Sequence, residues 1–125
     1  GLGATVEPFT EALAEYTLIE KTDFSAMGVP EFEAALKTTG RKSVVLCGVE
    51  AHVCVLETAL DLLEAGYNVF IVRDAVASRK ESDKECAMAR AAAAGAAIVT
   101  YESVLFEMIG GAKAPGFKEI SAIVK

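Results

Sequence analysis

Ser43-Val44-Val45-Leu46-Cys47-Gly48-Val49-Glu50-Ala51-His52-Val53-Cys54-Val55 decides the reading of this chain. Ser43 to Val49 is rich in β-branched and apolar residues with few polar positions, the composition of a strand covered on both faces. From Ala51 to Ala65 the pattern turns helical, with Val53, Leu56, Leu60 and Leu63 expected on one side and Gly66 as the stop. Cys54 therefore falls where a strand hands over to a helix. A thiol in the first turn of a helix lies in the positive field of unpaired N–H groups, which favours thiolate over thiol. A thiolate there can act as a nucleophile, and the amides of the turn can hold an oxyanion.

Outward from this segment the chain alternates between strand and helix patterns. Thr17 to Glu20 reads as a short strand followed by Lys21, and Val29 to Thr38 as a helix opened by Pro30, with Phe32, Ala35 and Leu36 on one face. Asn68 to Val72 is the next strand. Ser82-Asp83-Lys84-Glu85 has capping-box spacing and opens a helix to Ala94, whose small residues Ala91 to Ala94 suit close packing on a sheet. Ala96 to Thr100 is a further strand, and Glu102 to Ile109 and Phe117 to Val124 are helices. Repeated strand–helix units with short connections predict an α/β fold, a parallel sheet with helices on both faces. Ligands in such sheets bind beyond the carboxyl ends of the strands, where both Cys54 and Lys21 are expected. A nearby ammonium would further favour a thiolate.

Composition narrows the function. The 125 residues amount to one domain, and hydrophobic residues make up 53% of them, enough for a buried sheet, packed helices and an oligomer interface. Mean hydropathy is +0.38. Charges interrupt every apolar run before the roughly 18 residues of a membrane span, so no membrane partner is expected. A net charge of −6 without a basic cluster argues against nucleic-acid binding. Three cysteines do not make a complete disulfide framework and fit a reducing, cytoplasmic setting. One histidine and three scattered cysteines give no metal-ligand spacing.

Glu20-Lys21-Thr22-Asp23-Phe24-Ser25 and Cys47-Gly48-Val49-Glu50-Ala51-His52-Val53-Cys54-Val55 resemble the isochorismatase-like cysteine hydrolases, nearest to the isochorismatase domain-containing branch. Asp74 to Arg79, Thr100 to Phe106 and Phe117 to Ile120 resemble it too, so the similarity runs through essentially the whole chain. The resemblance implies a three-layer α/β/α, Rossmann-like hydrolase with an Asp–Lys–Cys triad and no cofactor. Cys54 matches the family nucleophile and Lys21 its lysine. A cis peptide is implied at Val49–Glu50, with the Glu50 and Cys54 amides as the oxyanion hole; Phe24 and His52 are candidates for contacting substrate. The implied reaction is attack on an amide-like or carbonyl carbon, a thioester intermediate, then hydrolysis.

The family aspartate follows a first, central strand, and no such strand and aspartate precede Lys21. The expectation is therefore a chain equivalent to the C-terminal two-thirds of the domain, lacking the N-terminal strands and with the Asp outside it. Simpler roles stand beside these. Cys47 and Cys86 read as core or helix-packing cysteines, and His52, at i−2 from Cys54, as a rim or structural residue rather than the base of a Cys–His pair. Glu50 replaces a small residue and weakens a metal-dependent nicotinamidase reading. Two classes remain: a cysteine hydrolase of a small molecule, acting as a homo-oligomer, and a non-catalytic interaction or scaffold protein of the same fold.

Overall fold

In a computed structural model, residues 3–13 and 15–125 are described. Strands β1 (Ser43–Val49), β2 (Asn68–Ala77) and β3 (Ala97–Val99) form a parallel sheet in that spatial order. The described residues also form helices α1 (Glu7–Ala12), α2 (Pro30–Thr38), α3 (Leu56–Glu64), α4 (Glu81–Ala93), α5 (Tyr101–Ile109) and α6 (Phe117–Ile123). Parallel neighbours need a crossover, and α3 and α4 supply the two that this sheet requires. The chain is an α/β fold, as its alternation predicts.

The core lies where α3 and α4 meet the sheet. Leu62 of α3 and Ile71 of β2 are its largest fully enclosed side chains, joined by Leu56, Ala59, Val69, Ala87, Met88 and Ala91. Phe32, Ala35 and Leu36 are half-buried on one side of α2, as their spacing predicts. Of the alanine run at the end of α4, only Ala91 is buried.

Several expectations are corrected. Thr17 to Glu20 forms no strand, because a strand needs a ladder partner and this segment pairs with none in the described sheet. Strand β2 continues past Val72 to Ala77. The capping box at Ser82 does not form: α4 starts one residue earlier, so Ser82 is already helical and Lys80 occupies the cap position without a side-chain cap. A capping box forms instead at Thr100 and Ser103, opening α5. Cys47 and Cys86 are exposed rather than core residues.

Strand β1 has one neighbour in the described sheet, and Val45 and Val49 on it are 50% and 52% exposed. Leu18 and Phe24, in the segment before α2, are exposed as well.

A candidate active site at the end of the first strand

The site is built by the way β1 ends. Opposite Leu46 the partner on β2 is Ile71, but opposite Gly48 it is Val76, so the ladder shifts register as the strand closes. Gly48 sits at φ +120°, a conformation that residues with a Cβ rarely adopt, although a Cβ there would meet no atom within 4 Å. The glycine is required by the backbone angle and not by space. The Val49–Glu50 peptide that follows is cis.

Residues Ala51–Val55 then form a π-helical turn, a feature concentrated at functional sites. The Glu50 carbonyl accepts the N–H groups of both Val53 and Val55, each at 3.2 Å. Cys54 therefore lies in a wide turn ahead of α3, not in the first turn of an α-helix. Val55, Leu56, Ala59 and Leu62 are buried in the core, and Leu60 and Leu63 of the expected stripe are half-buried against it, while Val53 is half-buried on the turn. Ala51 and Val55 anchor the turn from below, and Cys54 is half-buried between them in sequence.

A polar cluster covers the same turn. Glu50 Oε2 accepts the Arg79 amide at 3.2 Å and its Nε at 3.4 Å. His52 Nδ1 shares a hydrogen bond with Ser78 Oγ at 2.9 Å and lies 3.5 Å from Glu50 Oε2, while its Nε2 faces Asp83 Oδ2 at 3.9 Å. These contacts tie the turn after β1 to the segment after β2 and to the start of α4.

Lys21 belongs to a loop that docks on α3. Its Nζ donates to the carbonyls of Asp23 and Phe24, both at 2.9 Å, so the ammonium holds its own loop closed. The Ser25 hydroxyl accepts the Met27 amide at 3.2 Å, and the Ala26 amide donates to Thr58 Oγ1 at 2.9 Å. Thr58 is buried and one helical turn beyond Cys54. Lys21 lines two concavities, of about 470 and 240 Å³, on the side of the loop shared with Val29; neither has Cys54 in its wall. Phe24 is 59% exposed on this loop.

The structure thus gathers Glu50, His52 and Cys54 on one turn and brings the Lys21 loop against the helix that follows. The sequence assigned Ser78, Arg79, Asp83 and Thr58 no part in the site. Nothing local marks them, since each acts across 26 or more residues, apart from the resemblance of the Asp74 to Arg79 stretch. No group of three or more His, Cys, Asp or Glu side chains among the described residues is arranged to hold a metal ion.

A parallel α/β sheet with a half-buried cysteine on the turn leaving its first described strand defines the structural class. Within that class, the isochorismatase domain model matches residues 1–103, and the chain belongs to the isochorismatase family. It is 47% identical over 126 residues to isochorismatase domain-containing protein 1 of Danio rerio, an alignment spanning 100% of this chain and 44% of that protein. The MAR1 ribonuclease structure from Caenorhabditis elegans superposes with a TM-score of 0.90 at 45% identity, over 99% of this chain and 64% of that one. YcaC from Pseudomonas aeruginosa, solved with hexane-2,5-diol and covalent acrylamide, gives a TM-score of 0.75 at 33% identity, over 80% of this chain and 50% of that one. The chain is therefore shorter than each of these relatives, spanning 44 to 64% of their lengths.

Proposed function

We propose that the protein containing this chain is a cysteine-dependent hydrolase of a small amide-like or carbonyl substrate, with Cys54 as nucleophile. The observation that carries the reading is the position of Cys54, half-buried on a π-helical turn at the carboxyl end of β1. The thiolate Sγ attacks the carbonyl carbon, a C–S bond forms, and the carbonyl pair moves to oxygen, where the Glu50 and Cys54 amides receive it. Collapse expels the leaving group, which takes a proton from an aspartic acid supplied by sequence outside this chain, and leaves a thioester. Water, deprotonated by the same aspartate, then releases the acid and the thiolate. Lys21 stabilises the thiolate. The mechanism needs no cofactor.

The 125 residues are read as the C-terminal two-thirds of the domain. The length of the relatives and the exposed valines of β1 support this, since an edge strand with an apolar face calls for a cover. The exposed apolar residues also favour a homo-oligomer, and three free thiols favour a cytoplasmic setting. An RNA substrate is set aside despite the ribonuclease relative, because a net charge of −6 opposes phosphate binding.

The test is acrylamide labelling of the intact protein at neutral pH, read residue by residue by peptide mass spectrometry. Addition joins Sγ to the terminal alkene carbon and sends the π pair toward the carbonyl oxygen; water then supplies a proton to the α carbon. Cys54 is expected to react at least about tenfold faster than the exposed Cys47 and Cys86, which serve as internal controls. Equal or slower reaction at Cys54 refutes the nucleophile and leaves the interaction-protein reading.

A further inference from the structure

We propose that His52 is a positioning residue: through its hydrogen bond to Ser78 it fixes the Ala51–Val55 turn so that the amides beside Cys54 meet an oxyanion on the substrate. The proposal rests on the reading of Cys54 as nucleophile. Below the turn, the contacts of Ala51 and Val55 are apolar and therefore non-directional. They hold the turn down without setting the tilt of its peptide planes. Direction has to come from hydrogen bonds, and two residues here, Glu50 and His52, make hydrogen bonds across to the segment after β2.

His52 Nδ1 bonds Ser78 Oγ at 2.9 Å, and Glu50 Oε2 accepts the Arg79 amide at 3.2 Å and its Nε at 3.4 Å. They flank the peptides between Glu50 and His52, two residues before the nucleophile. The His52 and Glu50 side chains are only 21% and 19% exposed, so water competes weakly for either bond. On the outer edge of the ring, Asp83 stands 3.9 Å from Nε2, beyond hydrogen-bond range. The direct link is thus made by Nδ1. The ring's shortest polar contact is to Ser78, and it is this contact that the positioning role uses.

The chemistry of two reagents makes the idea testable in the intact protein. Acrylamide builds charge on its carbonyl oxygen as it adds to Cys54, and so draws on the amides. Iodoacetamide loses iodide in a direct displacement and builds no oxyanion. The expected result is that His52→Ala and Ser78→Ala each slow acrylamide addition at Cys54 about 3- to 10-fold, the worth of one hydrogen bond. Iodoacetamide should change by less than about twofold, and the double variant should lose no more than either single one, because both remove one interaction. His52→Asn places a polar amide atom near the position of Nδ1 and should restore most of the acrylamide rate; His52→Gln, which reaches toward Nε2, should not.

Equal slowing of both reagents would show a plain structural role, and unchanged acrylamide addition in His52→Ala or Ser78→Ala would show no role; either overturns the proposal. If His52→Ala fails to fold by circular dichroism, the Ser78→Ala and His52→Asn rates decide alone. A wild-type Cys54 indifferent to acrylamide overturns the nucleophile reading, and this proposal with it. A wild-type Cys54 that reacts, with variants that match it, sinks only the positioning role.

Discussion

The Ala26 amide donates to Thr58 Oγ1 at 2.9 Å, joining the Lys21 loop to the helix that follows Cys54 across 32 residues of sequence. Thr58 is 5% exposed and is the one buried polar side chain of the described core, so this bond is partly shielded from water. It ties the loop that carries the proposed lysine to the helix that follows the proposed nucleophile.

Thr58→Val keeps the shape and removes the acceptor, leaving a partly buried N–H unpaired. The expected loss is about 1–3 kcal/mol of stability. Acrylamide addition at Cys54 should fall as well, and Thr58→Ser should retain both properties. Chemical denaturation and labelling rates measure the two effects; a Thr58→Val protein as stable as wild type would show that the tether carries no weight.

Lys21→Met is expected to lower hydrolysis by about 10²-fold or more, the usual loss when one electrostatic stabiliser of a reacting group is removed. Its Nζ also closes the loop on the Asp23 and Phe24 carbonyls, so binding should weaken too. Steady-state kinetics on a panel of small amides separates the effects: a change confined to KM would leave Lys21 as a loop clip only.

Gly48→Ala forces a Cβ onto φ +120°. With open space around it, the cost is conformational, about 1–3 kcal/mol. Thermal unfolding should show a lower midpoint, and the turn at Cys54 should relax, slowing its labelling. Unchanged stability would mean that the backbone at Gly48 adopts another conformation in solution.

The intact mass of the protein isolated from its source should lie well above the 13.1 kDa of this chain. In that longer protein, Val45 and Val49 should be covered, and hydrogen exchange along β1 should be as slow as along β2. The 125-residue chain expressed alone should exchange rapidly along β1 and self-associate, because its apolar strand has an unpaired edge. A monomeric, well-protected 125-residue chain would contradict the reading as a partial domain.

Periodicity and composition by themselves determined the α/β class, strand β1 to the residue, the helices from Pro30 onward within a residue or so at most ends, and the placing of Cys54 at a strand exit. Those features are local: an apolar run, a proline in a first helical turn and a glycine after a last one act within a few residues of themselves. The Thr17 to Glu20 segment shows the limit, since a strand is made by its partner and the segment has no partner here. Only the tertiary structure decided that the helix after β1 begins as a π-helical turn, and that Val55, Ala59 and Leu62 join the expected Leu56 as its buried apolar positions. It alone decided that Ser78, Arg79 and Asp83 gather around His52 and Glu50, and that Thr58 receives the Lys21 loop. Those contacts join residues 26 to 32 apart or bridge separate elements, and the geometry that selects one hydroxyl or carboxylate among many exists only once the sheet and its crossover helices have packed.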